Sequence, residues 1–272
     1  MKSRAPKIAT MLAVGAAFAL PLAYMLGVSL APEGRGLESL TAGWREPHFE
    51  NYGKALAKMG GVPRLFANTL FVTLVSIVGQ CATCSLAGYA LARVRFRGRG
   101  ILFALVLATM MLPEQVTTIP RFLLFRSLHL VDTFGPLILP AVLGGAPFFI
   151  FLFRQYFLSL PEELTEAAQL DGCGHLRIWW SILLPLARPM LATVAIFTFL
   201  AVWNDFWTPL IYLLSDENHT LTLALAGFNR SYNVAVEYMM AASSVVLAPC
   251  IVVYFVAQKL FLRGVEVAAS KH

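Results

Sequence analysis

Charge is the scarcest thing in this sequence. Asp, Glu, Lys and Arg make up only 13% of its 272 residues, against 58% hydrophobic residues. Soluble domains carry about twice that share of charge. The composition therefore excludes an ordinary water-soluble fold of this size, whose surface needs more polar side chains. Cysteine is also sparse: Cys81, Cys84, Cys173 and Cys250 imply no disulfide framework. Cys81 and Cys84 form a C-x-x-C pair inside an apolar run, with no second pair or histidine cluster near them. They read as small apolar residues on one helix face rather than as a zinc or redox site. The five histidines, at 48, 129, 175, 219 and 272, do not cluster. No G-x-x-x-x-G-K-[ST] stretch occurs, so the chain is expected to hold neither ATP nor Mg; energy has to come from a partner. H-E-x-x-H and G-x-S-x-G are missing as well.

What the sequence has instead is long apolar runs. They cover residues 8–31, 66–92, 101–113 with a weaker extension to 120, 134–153, 190–214 and 239–262. A spanning helix needs roughly 20 mostly apolar residues. In lipid only helices and closed barrels satisfy their own backbone, and these runs are too long and continuous for barrel strands. The expected fold is all-α, with six transmembrane helices. The first run follows Lys2, Arg4 and Lys7 but is 24 residues long. A signal-peptide core is about 7–15 residues, so an uncleaved first span is expected. The expected divisions are 1–65 (first helix and first outer loop), 66–265 (transmembrane core) and 266–272 (a short tail).

Lysine and arginine counts set the orientation. With the N-terminus inside, the inner segments carry 13 of the 21 basic residues, including Arg93, Arg95, Arg97 and Arg99 in one short loop. The outer loops carry five, two and one, and the five are diluted by four acids. Both termini and the loop 155–189 are therefore expected in the cytoplasm of a multi-pass plasma-membrane protein. The arginine cluster reads chiefly as a topology determinant with lipid phosphate contacts. In this setting the net charge of +6 carries no suggestion of nucleic acid. Asp132 and Glu114, on the outer side, could touch a solute-delivery protein.

Loop 155–189 does not read as a simple connector. Pro161, Glu162 and Glu163 suit a helix start, because proline fits the first turn and acids favour the positive end of the dipole. Leu164, Ala167, Ala168 and Asp171 share one face at i, i+3, i+4 and i+7. Gly172 is a natural stop, and a second short helix over 175–184 precedes Pro185. The narrow face of Leu and Ala suits docking into a groove of another protein better than lying on a membrane surface.

At these residues the sequence resembles the importer permeases of the ATP-binding-cassette class. Their signature is Glu-Ala-Ala, three residues, Gly, nine residues, Ile, one residue, Leu-Pro. Here it reads Glu166-Ala167-Ala168, Gly172, Ile182, Leu184 and Pro185. The resemblance implies that a coupling helix between the fourth and fifth spans docks in a cleft of a partner ATPase. It also implies two ATPase subunits, a second permease subunit and an extracytoplasmic solute-binding protein. Asn68-Thr69, Gly88-Tyr89-Ala90 and Trp203-Asn204-Asp205-Phe206 are similar to the carbohydrate-type permeases, over about residues 50–265. The expected cargo is a sugar or sugar-like solute, with oligosaccharides, disaccharides, amino sugars and glycerol phosphodiesters open. A membrane-embedded enzyme acting on lipids or isoprenoids is the competing reading, but it needs convergent carboxylates or histidines.

Asn204 and Asp205 lie inside the fifth run, roughly 22 Å from its cytoplasmic end at 1.5 Å per residue. An aspartate within a membrane costs about 2.5–3.5 kcal/mol, so a partner or a wet cavity is expected. Pro209 cannot donate to the carbonyl of residue 205, which predicts a kink. Trp203, Asn204, Asp205, Phe206 and Pro209 are thus candidates for the translocation path. Asp205 could equally pin helices together or serve gating. Trp203, Phe206, Trp207 and Tyr212 offer sugar-stacking faces or interface anchors.

Overall fold

The computed structural model describes residues 4–34, 42–230 and 235–269. Lys2 and Lys271, two of the basic residues used for orientation, lie outside the described residues, as does the end of the expected tail 266–272. Every regular element among the described residues is helical. Four helices are long and apolar enough to cross a membrane: Lys7–Ser29, Val62–Arg93, Gly135–Ser159 and Val236–Gln258. Two bent pairs raise the number to six if each is one span, Arg99–Thr109 with Glu114–Ser127 at 98° and His175–Leu186 with Arg188–Trp203 at 81°.

The expected third run is thus not a straight rod, and the expected fifth, 190–214, is also interrupted. The third divides into α5 (Arg99–Thr109) and α6 (Glu114–Ser127). Pro113 stands at the junction with ψ 135° and disfavours a helical conformation at the residue before it. The fifth run divides into α12 (Arg188–Trp203) and α13 (Trp207–Tyr212). The proline kink expected within one helix is instead a full break at 204–206. The Asp205 carboxylate accepts the backbone N–H of Thr208 at 3.1 Å and starts a new helix. Pro209 then sits in that helix's first turn, where its missing N–H goes unnoticed. The fourth run is α7 (Gly135–Val142) followed by α8 (Pro147–Ser159), six residues past the expected end.

Contacts divide the chain into two compact units. The first joins the part before Phe66 to Leu221–Ile251. It holds α1 (Arg4–Ser29), α2 (Ala42–Arg45), α3 (Glu50–Met59), α14 (Leu221–Arg230) and the start of α15 (Val236–Ala269). Asn51 caps the end of α1 by donating to the carbonyls of Ser29 and Ala31. Ala55, Tyr238, Ala241 and Ala242 form its buried centre.

The second unit holds Phe66–Thr220 and the residues from Val252 on. Its axis is α4 (Val62–Arg93), which enters it at Phe66. Two glycines let other helices press against α4. A Cβ at Gly79 would lie 2.9 Å from the Val142 Cα, and one at Gly88 would lie 2.6 Å from the Phe153 Cβ. Small residues at such crossings are the usual way membrane helices come into close contact. Cys84, Tyr89, Phe153, Phe157, Ile178, Leu183 and Val194 form the core of this unit. Cys81 and Cys84 are free thiols directed at backbone carbonyls, each at 3.7 Å. Among the described residues no three His, Cys, Asp or Glu gather as a metal site.

Candidate functional site

The loop between α8 and α12 folds into α9 (Glu163–Leu170), α10 (His175–Ile178), a π-helical turn (Trp179–Leu183) and α11 (Leu184–Leu186). Helix α9 begins beside Pro161 and Glu162, with Glu163 and Glu166 in its first turn. It ends in a Schellman motif. Gly172 has φ +78°, its N–H bonds the carbonyl of Gln169, and the N–H of Cys173 bonds that of Ala168. This is the six-to-one, five-to-two pairing that a left-handed glycine permits. Glycine at 172 is therefore demanded by the backbone.

The face expected from periodicity splits in two. Thr165 and Ala168 turn inward and are buried, whereas Leu164, Ala167 and Asp171 point out to the surface with Glu166. Leu170, at the tip, is 90% exposed. The later signature residues lie apart from α9. Ile182 packs on the core cluster, Leu184 is half-buried and Pro185 is exposed. Pro185 lacks the N–H that would bond the carbonyl of residue 181, and the widened π turn just ahead of it fits that loss.

Two arginines, Arg93 at the end of α4 and Arg95 just beyond it, reach this loop. Arg93 donates to the carbonyls of Phe157 at 2.7 Å and Leu160 at 2.6 Å, and Arg95 pairs with Glu162 at 3.2 Å. The reading of this cluster as a topology determinant missed that role. Behind the arginines, the Tyr89 hydroxyl meets His175 Nδ1 at 3.0 Å. A polar cleft of about 300 Å³ follows, lined by Arg93, Arg95, Glu162, Thr165, Glu166 and His175. The only signal for this in the sequence was the Gly88-Tyr89-Ala90 triplet beside the arginines.

The second group of candidates surrounds the break at 204–206. Asp205, Trp207 and Tyr212 line a cavity of about 730 Å³ with Glu114 and Arg121 of α6. Trp203 does not join them. It is 1% exposed and stacks on Phe199, with Phe66 at its edge. Asn204 bonds back to the carbonyl of Leu200, Phe206 packs against Trp207, and Pro209 is buried.

Asp132, expected to be available on the surface, is engaged by its own chain. At φ +63° it accepts the N–H groups of Leu214 and Ser215, both at 2.9 Å, and the Ser215 hydroxyl. These donors hold its carboxyl well below the usual carboxylate range. Asn68 ties the same segment through the carbonyls of Glu217 and His219.

Residues 85–267 match the family described as the binding-protein-dependent transport system inner membrane component. The chain is 38% identical over 206 residues to an arabinooligosaccharides transport system permease protein of Halalkalibacterium halodurans, covering 76% of this chain and 73% of that one. It is 34% identical over 257 residues to a probable ABC transporter permease protein of Pyrococcus horikoshii, covering 92% of each. A diacetylchitobiose uptake system permease protein of Streptomyces coelicolor is 32% identical over 252 residues, covering 91% of this chain and 82% of that one. Among solved structures, a bacterial ABC transporter involved in the import of the acidic polysaccharide alginate superposes with a TM-score of 0.81 at 27% identity, covering 95% of this chain and 98% of that one. With two thirds of its length matched and the helix-and-loop architecture in place, the chain belongs to the family of binding-protein-dependent transport system inner membrane components.

Proposed function

We propose that this chain is a permease subunit of an ATP-driven sugar importer, and that α9 couples it to the ATPase. The observation that carries this is the loop's construction. A short helix, stopped by a left-handed glycine, presents Leu164, Ala167 and Asp171 outward while Arg93 and Arg95 fix its base. Such a helix is anchored at its base, chiefly by Arg93, and has a narrow exposed Leu and Ala face, which suits a protein groove. In this reading both termini and α9 face the cytoplasm. Two ATPase subunits, a second permease subunit and an extracytoplasmic binding protein complete the assembly. The break at 204–206 lines the path, and this subunit forms half of it. The relatives' cargoes are sugars of different charge, from arabinooligosaccharides to alginate. The carbohydrate class comes to this chain from them.

Gly172→Ala provides the test. A Cβ there meets nothing within 4 Å, so the chain itself does not clash. The left-handed backbone costs an alanine about 1–2 kcal/mol. The spans should fold normally, while co-purification of the ATPase and ATP-driven uptake both fall. Glu166→Arg, which leaves the backbone free, should do the same. Full ATPase retention and uptake in both variants would falsify the coupling role.

A further inference from the structure

The first turns of α6 and α13, together with Asp205 at the break between α12 and α13, line the 730 Å³ cavity. Its volume is that of a small-molecule site, roughly 300–1,000 Å³. Its walls are chemically specific. Trp207 is 70% exposed and contributes an indole to the lining. Tyr212 backs the same wall, only 2% exposed, with its ring packed against Phe122 and Phe125. Asp205 accepts one backbone N–H and presents the rest of its carboxylate to the cavity.

The charge balance adds a second constraint. Glu114 and Asp205 bring two carboxylates, and Arg121 brings one guanidinium, already paired with Glu114 at 3.4 Å. Among the described residues that line the cavity, no unpaired cation is left to meet an anionic solute. Hydroxyl groups, by contrast, find acceptors in both carboxylates. An aromatic plate beside carboxylates suits a sugar ring, whose C–H face is apolar and whose rim is rich in hydroxyls.

We propose that this cavity is a subsite for an uncharged sugar, with one ring face on Trp207 and hydroxyls donating to Asp205 and Glu114. The subsite rests on the permease reading and deepens it. It selects neutral oligosaccharides and rejects uronates and phosphodiesters, so this subunit itself checks the charge of the cargo.

The test uses the assembled permease–ATPase complex in nanodiscs, without the binding protein. Saturation-transfer NMR reads binding of maltotriose, arabinotriose and raffinose as neutral probes and of trigalacturonate as the anionic one. At least one neutral probe should bind and trigalacturonate should not. Trp207→Ala should raise the neutral probe's half-saturation about tenfold, and Trp207→Phe, which keeps a ring face, should recover most of it. Asp205→Asn should admit trigalacturonate. Equal binding of trigalacturonate by the unaltered complex, no binding of any neutral probe, or an unchanged half-saturation in Trp207→Ala would each overturn the subsite. The importer reading fails separately, if loaded binding protein does not stimulate ATP hydrolysis by the same complex.

Discussion

The Arg93 guanidinium reaches from the last residue of α4 to the carbonyl of Leu160, 2.6 Å away, and the same nitrogen bonds the carbonyl of Phe157. A cation is thereby fixed at the end of α8, where backbone carbonyls lack helical partners and the dipole is negative. The segment that leaves α8 towards α9 inherits its direction from this clamp.

Arg93→Ala should therefore loosen the loop without unfolding the spans. Hydrogen bonds to a charged group contribute about 1.5–3 kcal/mol. Losing about 2 kcal/mol locally corresponds to roughly 30-fold faster exchange. Amide hydrogen exchange over residues 157–172 measures it. Arg93→Lys keeps the charge but not the fork geometry and should fall between the two. Unaltered exchange in Arg93→Ala would mean that the loop is held by α9 packing alone.

A second latch joins Asp132 to Leu214 and Ser215, and it gives a pH signature. The donors lower the folded-state pKa of Asp132 below its ordinary value. Its contribution is fully present above the ordinary carboxylate pKa, near 4, and is lost as pH falls from there through the depressed folded value. Nothing should change between pH 8 and 5. The side chain is partly open to water, so the loss is on the order of 1 kcal/mol rather than the sum of its bonds. The protection factors of Leu214 and Ser215, with intrinsic exchange divided out, should fall below pH 4 in the unaltered chain. In Asp132→Asn the protection factors should already be low at pH 7 and independent of pH.

These devices differ in how legible they were in the sequence. Apolar runs announce helices because lipid forces every backbone group to pair inside its own segment. That argument located each run but gave no angles. The break at 204–206 depends on a polar side chain capturing a nearby N–H, as Asp205 does with Thr208, while at 110–113 Pro113 marks a break without setting its angle. The stop at Gly172 was readable because only glycine takes φ +78° cheaply. The inward turn of Ala168 was not, since a helix of eight residues offers two plausible faces and tertiary contacts choose between them. Arg93 was readable as a charge near a membrane. Its acceptors are backbone carbonyls more than 60 residues away, which no local pattern encodes.

The crossing of α4 and α8 carries the last prediction. A Cβ on Gly88 would stand 2.6 Å from the Phe153 Cβ and 2.9 Å from the Arg154 nitrogen. Neither atom can move by a change of rotamer, so α8 must shift as a body. Overpacking of this kind costs about 1–3 kcal/mol. Tyr89, the next residue, packs edge-on against Phe157 and bonds His175, so the shift passes directly to the seat of α9. Gly88→Ala should lower the thermal midpoint of the purified assembly and reduce the amount of ATPase that stays bound. Gly53, inside α3, is the matched control because a Cβ there meets nothing within 4 Å. Gly53→Ala should stabilise by about 0.5–1 kcal/mol through helix propensity alone. If both substitutions moved the midpoint the same way, close approach at Gly88 would not be what fixes the spacing of α4 and α8.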